Sequence, residues 1–114
     1  MYEYAGVVRS VYDADTIRAD VDLGWSTWRR NEPLRLLGID APEMGSPAGV
    51  GARDYLRELL PVGVTVVVQT VKDRDDKYGR LLAVLWPGVT PVGLSINQRL
   101  IDAGHAKPYS GGLR

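Results

Sequence analysis

The chain contains no cysteine, which removes disulfides, thiol chemistry and cysteine-ligated zinc. It has a single histidine, His105, so multi-histidine metal centres are excluded and histidine-based triads disfavoured. Lys plus Arg and Asp plus Glu both number 14, so there is no global basic field to attract nucleic acid, and any phosphate site must be a local cluster. No segment approaches the roughly 20 apolar residues of a membrane span. The start, Met1-Tyr2-Glu3-Tyr4, lacks the basic flank and apolar stretch of a signal peptide, so the expectation is a cytoplasmic protein without membrane contact. No repeat or linker divides the chain. What remains for chemistry is carboxylate, guanidinium, ammonium and phenol.

The length, 114 residues, suits one domain, expected over residues 1–109 with 110–114 as a disordered tail. Val7, Val8 and Val11 suggest a first strand. Ile17, Ala19, Val21 and Leu23 alternate with Arg18, Asp20 and Asp22, a clear period of two. A ragged third strand follows Gly24 through Trp25–Glu32 and continues over Leu34–Ile39. Met44–Gly49 reads as a loop, and Ala52, Tyr55, Leu56, Leu59 and Leu60 recur at helical spacing up to Pro61. Val62–Val71 and Leu81–Trp86 read as two more strands. Ser95-Ile96-Asn97-Gln98 has the form of a capping box opening a second helix that stops at Gly104. Three strands, a helix, two strands and a helix predict a mainly β (α+β) fold, a five-stranded barrel of the OB type with two helices. Trp25, Trp28 and Trp86 are expected in the core or at its rim.

The candidate chemistry centres on Arg35-Leu36-Leu37-Gly38-Ile39-Asp40-Ala41-Pro42-Glu43. Pro42 cannot join a sheet ladder and biases Ala41 toward an extended conformation, so the strand is expected to end near Asp40. Asp15, in the turn Asp13-Ala14-Asp15-Thr16, and Asp40 can together hold a hard divalent cation, which takes oxygen ligands, with a carbonyl near Ala41 completing the shell. Glu43 is offset and can polarise a water. The simpler readings stay open: Asp13 and Asp15 also form turns, and Asp40 also caps one. Arg35 and Arg80 can bind a phosphate bidentately, or be solvated charges at strand positions. The charged run Asp73–Arg80 fails as an EF-hand, having Tyr78 at the sixth position and Val84 at the twelfth. Tyr78 and Tyr109 can stack on a nucleotide or pack at the rim.

Together, Asp13–Thr16, Arg35–Glu43 and Asp76-Lys77-Tyr78-Gly79-Arg80 resemble the three signature segments of staphylococcal-nuclease-like domains (thermonucleases), in the family's order. Leu100–Lys107 is similar to the family's second-helix exit. The resemblance spans about Tyr4 to Tyr109. It implies an OB-fold barrel and calcium-dependent cleavage of DNA and/or RNA to 3′-phosphate ends. Residue by residue it implies Asp15 and Asp40 as carboxylate ligands of Ca2+, Ala41 as a carbonyl ligand, Glu43 as general base, and Arg35 and Arg80 as phosphate ligands. It further implies Lys77, Tyr78 and Tyr109 as substrate contacts. Ala14 stands where the family usually has Gly and would be strained were that φ positive. Ala41 stands where the best-known member has Thr, at little cost to a carbonyl ligand. The chain stops soon after Tyr109, so the family's final helix is expected to be absent, and the bared face can be buried in a homodimer. The alternative reading is a catalytically inactive module of the same fold that binds nucleic acid or a protein partner.

Overall fold

A computed structural model describes residues 2–75 and 79–109, with side chains described outside 72–75. Five strands close into a barrel in the order β1-β2-β3-β6-β5. They are β1 (Tyr2–Asp13), β2 (Thr16–Asp22), β3 (Trp28–Leu36), β5 (Thr65–Asp75) and β6 (Leu81–Pro87), with β4 (Ile39–Asp40) and β7 (Lys107–Pro108) forming a separate two-stranded pair. Two helices, α1 (Pro47–Leu59) and α2 (Ile96–Asp102), complete the described residues. Closure leaves the barrel without open edges. Neighbouring barrel strands are antiparallel except β3 and β6, which run parallel with Arg35 opposite Leu82.

The alternation read from Ile17 onward sets the inside of the barrel, where Ile17, Ala19 and Val21 are buried and Arg18 is exposed, but Asp20, expected on the outer face, is buried where the β2–β3 register shifts between Ala19 and Val21. Val8, Leu34, Leu36, Val66, Val68 and Leu85 fill the interior from the other strands. Leu56 of α1, Leu60 at its C-cap, and Ile96 and Leu100 of α2 close it from the helices, all fully buried. Asn97 ties three elements together. Its Nδ2 donates to Leu37 O (2.8 Å) and Ala83 O (3.1 Å), and its Oδ1 accepts from Leu85 N (3.1 Å). His105 packs against Tyr55, with ring centroids 4.6 Å apart.

Several expectations change. The apolar run Leu34–Asp40 is not one strand: β3 ends at Leu36, Gly38 turns the chain at φ +81°, and Ile39–Asp40 joins β7 instead. The segment read as loop through Gly49 is already helical from Pro47, capped by Ser46. The fifth strand starts at Thr65, not Val62. Ser95 does cap α2 by accepting from Gln98 N (3.1 Å), but Gln98 turns away to Asp102 (2.8 Å), so only half the capping box forms. Trp25 is neither core nor rim: it is fully exposed at the tip of the β2–β3 hairpin, where Gly24, Trp25 and Ser26 all take positive φ. Ala14 has no positive φ, and its methyl is buried in the core, so the feared strain is absent. The tail 110–114 lies outside the described residues.

Candidate active site

The turn between β1 and β2 brings Asp15 to the end of β3. Asp15 O accepts from Leu36 N (2.8 Å), which extends the pairing in which Thr16 faces Arg35. The Asp15 carboxylate then reaches across to the next segment. Its Oδ2 accepts from Ala41 N (3.1 Å) and lies 3.5 Å from Arg35 Nη2. Both side chains are largely shielded, with 14% and 13% of their surface exposed, so the pair is held in a weakened dielectric.

Arg35 also fixes the bend that follows it. Nη1 donates to Leu36 O (2.7 Å) and Nη2 to Ile39 O (2.9 Å). These bonds satisfy carbonyls that the break at Gly38 takes out of the ladder. They use at most three of the guanidinium's five N–H donors, counting Asp15, and leave the rest for a ligand. Arg80 immediately precedes β6, the strand beside β3, and its Nη1 donates to Thr16 Oγ1 (2.8 Å). The two arginines are therefore linked through the Asp15-Thr16 dipeptide.

Asp13 shapes the same turn. Its Oδ1 accepts from Asp15 N (3.0 Å). Burial, followed by the hydrogen bond and negative charge of Asp15, pushes its pKa up to about 6.

Asp40 is exposed on β4, opposite Lys107 of β7. Glu43 is exposed on the segment leading into α1. Its position depends on two residues that composition disguised. Glu43 O accepts from both Ser46 N (3.1 Å) and Ser46 Oγ (2.7 Å), while Ser46 Oγ caps α1 by accepting from Gly49 N (3.0 Å). Gly49 is packed so tightly that an added Cβ would lie 2.0 Å from Glu43 O. Ser46 and Gly49 are thus positioning residues for Glu43. Ser46-Pro47 is a readable cap signature, a capping residue followed by Pro at the first helical position.

Among the described residues no three Asp, Glu or His side chains lie close enough to share a metal ion. Asp15, Asp40 and Glu43 therefore do not form a three-acid centre; the expected ligand set is smaller, two aspartates and the Ala41 carbonyl. Its donors are all oxygen, which suits a hard divalent cation. The bonds from Ala41 and Arg35 both meet Oδ2 of Asp15, while Oδ1 receives a long 3.5 Å contact from Thr16 Oγ1. Lys77 and Tyr78 lie outside the described residues. Tyr109 is exposed, and its N donates to Gly38 O (2.8 Å), which places it beside the bend after β3.

The sequence matches known proteins over most of its length. A family profile described as "Staphylococcal nuclease homologue" covers residues 33–111, more than half of the chain. An endonuclease of Bacillus subtilis, YhcR, is 31% identical over 94% of this chain and 9% of its own length. A micrococcal nuclease of Shigella flexneri is 34% identical over 94% of this chain and 59% of its own. A thermonuclease of Staphylococcus intermedius is 33% identical over 72% of this chain and 48% of its own. The chain thus spans well under two thirds of these relatives. With the closed five-stranded barrel and the profile match together, the chain belongs to the family of staphylococcal nuclease homologues.

Proposed function

We propose that the chain is a metal-dependent endonuclease that hydrolyses phosphodiester bonds of DNA and/or RNA, with calcium as its ion and 3′-phosphate ends as its product. The observation that carries this reading is the cluster Arg35–Asp15–Thr16–Arg80, with Asp15 also bonded to Ala41 N. Two guanidiniums held on the neighbouring residues Asp15 and Thr16 suit a phosphoryl group gaining negative charge. All three relatives described above carry nuclease names, which supports the same class of reaction.

In this reading Asp15, Asp40 and the Ala41 carbonyl would hold the calcium ion, which when bound would supply positive charge to the phosphate and help polarise a water. Glu43 accepts the proton from the attacking water as it bonds to phosphorus. Arg35 and Arg80 donate to the non-bridging oxygens, whose charge rises in the transition state. The bond to the 5′ oxygen breaks, the leaving oxygen takes a proton, and the phosphate stays on the 3′ side. Arg35 is held by Asp15 and two carbonyls before substrate arrives, so little reorganisation is needed at the moment of reaction.

The test is cleavage of single-stranded DNA in calcium, with a chelator control and the Glu43→Gln variant. Calcium-dependent cutting that falls by orders of magnitude in the variant supports the reading. Binding with no cleavage in calcium, magnesium or manganese overturns it in favour of a non-catalytic module.

A further inference from the structure

A groove of about 630 Å³ opens on the outside of the barrel, between the end of β1, the start of β2 and α1. Its size falls within the roughly 300–1,000 Å³ of small-ligand clefts. Three arginines line it, Arg18, Arg57 and Arg80, with Tyr12, Thr16 and Pro33 among the other lining residues, and among the described residues none that lines it is acidic. In a chain of zero net charge, such a grouping is a local excess rather than a general property.

Two features tie the groove to the candidate active site. Thr16 and Arg80, bonded to each other at 2.8 Å, line one part of it, and Thr16 follows Asp15 directly in the chain. Arg18 extends the line two residues further along the same strand, its Nη1 donating to Asn31 O (2.9 Å). Arg57 comes from α1 and is fixed by bonds from Nε (3.2 Å) and Nη2 (2.9 Å) to Val11 O. Both guanidiniums are anchored on carbonyls, which leaves their positive charge for an incoming anion and reduces the entropy lost on binding. Tyr12 is 69% exposed at the wall, and an aromatic face there suits a stacked base.

We propose that this groove carries the sugar-phosphate backbone of a nucleotide flanking the bond that is cut, with Arg18 and Arg57 as phosphate contacts and Tyr12 as a stacking platform. The proposal rests on the nuclease reading for the word "flanking", but binding tests it separately. Phosphate contacts of this kind act on affinity rather than on chemistry, and each adds to the salt dependence of binding.

The experiment compares the parent with Arg18→Ala and Tyr12→Ala on a single-stranded 20-mer and on a dinucleotide. A dinucleotide has one internal phosphate, which the reaction centre uses, so it has none to offer Arg18. For Arg18→Ala on the 20-mer the expected result is a KM raised about five- to tenfold at unchanged kcat. The log–log salt slope of its affinity should also be shallower by about 0.7, as for one lost phosphate contact on a single strand. The dinucleotide KM should move far less. Equal losses on both substrates, or no loss on the 20-mer, overturn the proposal. If the parent cuts neither substrate, the nuclease reading fails, and the groove is judged by Kd for the 20-mer. Weaker binding by the variants upholds it and unchanged binding overturns it. Competition by poly-glutamate as strong as by the 20-mer also overturns it, since the groove would then be a general acidic-polymer site.

Discussion

Gly49→Ala is the most severe test of how Glu43 is held. A Cβ on Gly49 would sit 2.0 Å from Glu43 O, 2.6 Å from Glu43 C and 3.0 Å from Pro42 O, all backbone atoms. Ordinary contact begins near 3.4 Å, so the separation must grow by 3.4 − 2.0 = 1.4 Å. Glu43 O cannot give way freely, because Ser46 N and Ser46 Oγ both hold it. The helix start and the Glu43 segment must therefore part. Overpacking typically costs about 1–3 kcal/mol. The atoms met are backbone and the overlap is deep, so the cost should exceed that range and outweigh the up to about 1 kcal/mol that Ala gains over Gly in a helix. Tm should therefore fall, and the Glu43 segment should shift on the scale of the roughly 1 Å that can cost a hundredfold in rate. The assay is kcat on single-stranded DNA beside a thermal melt. Gly51→Ala is the matched control: it is exposed on the same helix with nothing within 4 Å of the added methyl. It should raise Tm by a few degrees, from a gain of about 0.5–1 kcal/mol, and leave kcat alone. A Gly49→Ala protein with parental kcat and a raised Tm would refute the reasoning.

Arg35→Ala should abolish most activity and also destabilise by about 3–5 kcal/mol, because Asp15 and the Leu36 and Ile39 carbonyls lose their partner. Arg35→Lys should keep more stability than activity, since it retains the charge but not the fork; near-normal turnover in the Ala variant would sink the assigned role. Asn97→Ala should lower the denaturant midpoint at unchanged m, by about 3 kcal/mol or more, because Leu85 N, Leu37 O and Ala83 O are left wanting. For Asp13, whose folded pKa is raised from 3.8 to about 6, the stabilising form is the protonated one. Its contribution is present below about pH 4 and lost as pH rises through 6. Asp13→Asn keeps the acceptor for Asp15 N, so the calcium-free variant should be more stable than the parent at pH 7.5, with the gap closing toward pH 4.5 in urea melts. A constant gap across that range would count against it.

The barrel was legible because one face of each strand is buried and Ile17, Ala19 and Val21 mark that face at a period of two, although Asp20 between them is buried as well. The break at Leu37-Gly38 was not, because Leu34, Leu36 and Ile39 are all buried on either side of it and read as one run. What separates β3 from β4 is a side chain, Arg35, bonding to carbonyls on both sides of the bend, and hydropathy carries no trace of that. The start of α1 was misread for the opposite reason. Ser46-Pro47-Ala48-Gly49 has loop composition, yet Ser and Pro are there as cap and first turn, and Gly49 because a neighbouring backbone leaves no room for a methyl. Trp25 shows the limit of composition again, since three consecutive positive φ values at the hairpin tip turn a large apolar ring into solvent.

At the reaction centre Arg35 is paired with Asp15, but in the groove beside it a neutral chain must keep its acids from cancelling its arginines. Among the described residues the other ion pairs achieve this by sorting. Asp20 takes Arg30 (3.2 Å) and Arg9 (3.8 Å), and Glu32 takes Arg29 (3.1 Å), along the outer part of the β2–β3 hairpin. Asp20 is kept ionised there, its pKa lowered first by Asn31 N and then by Arg30 and Arg9. Arg18 and Arg57 bond instead to the carbonyls of Asn31 and Val11, which direct a guanidinium without neutralising it. Positive charge is thereby spent on the hairpin and conserved beside Arg80. Net charge therefore understates how strongly the groove attracts an anion, and the effect should weaken steeply with salt over a Debye length of about 10 Å at 0.1 M. Reversing the sorting tests it. Arg18→Glu would place an acid in this arginine-rich groove, and it should weaken 20-mer binding more than Arg18→Ala, with the difference vanishing at high salt.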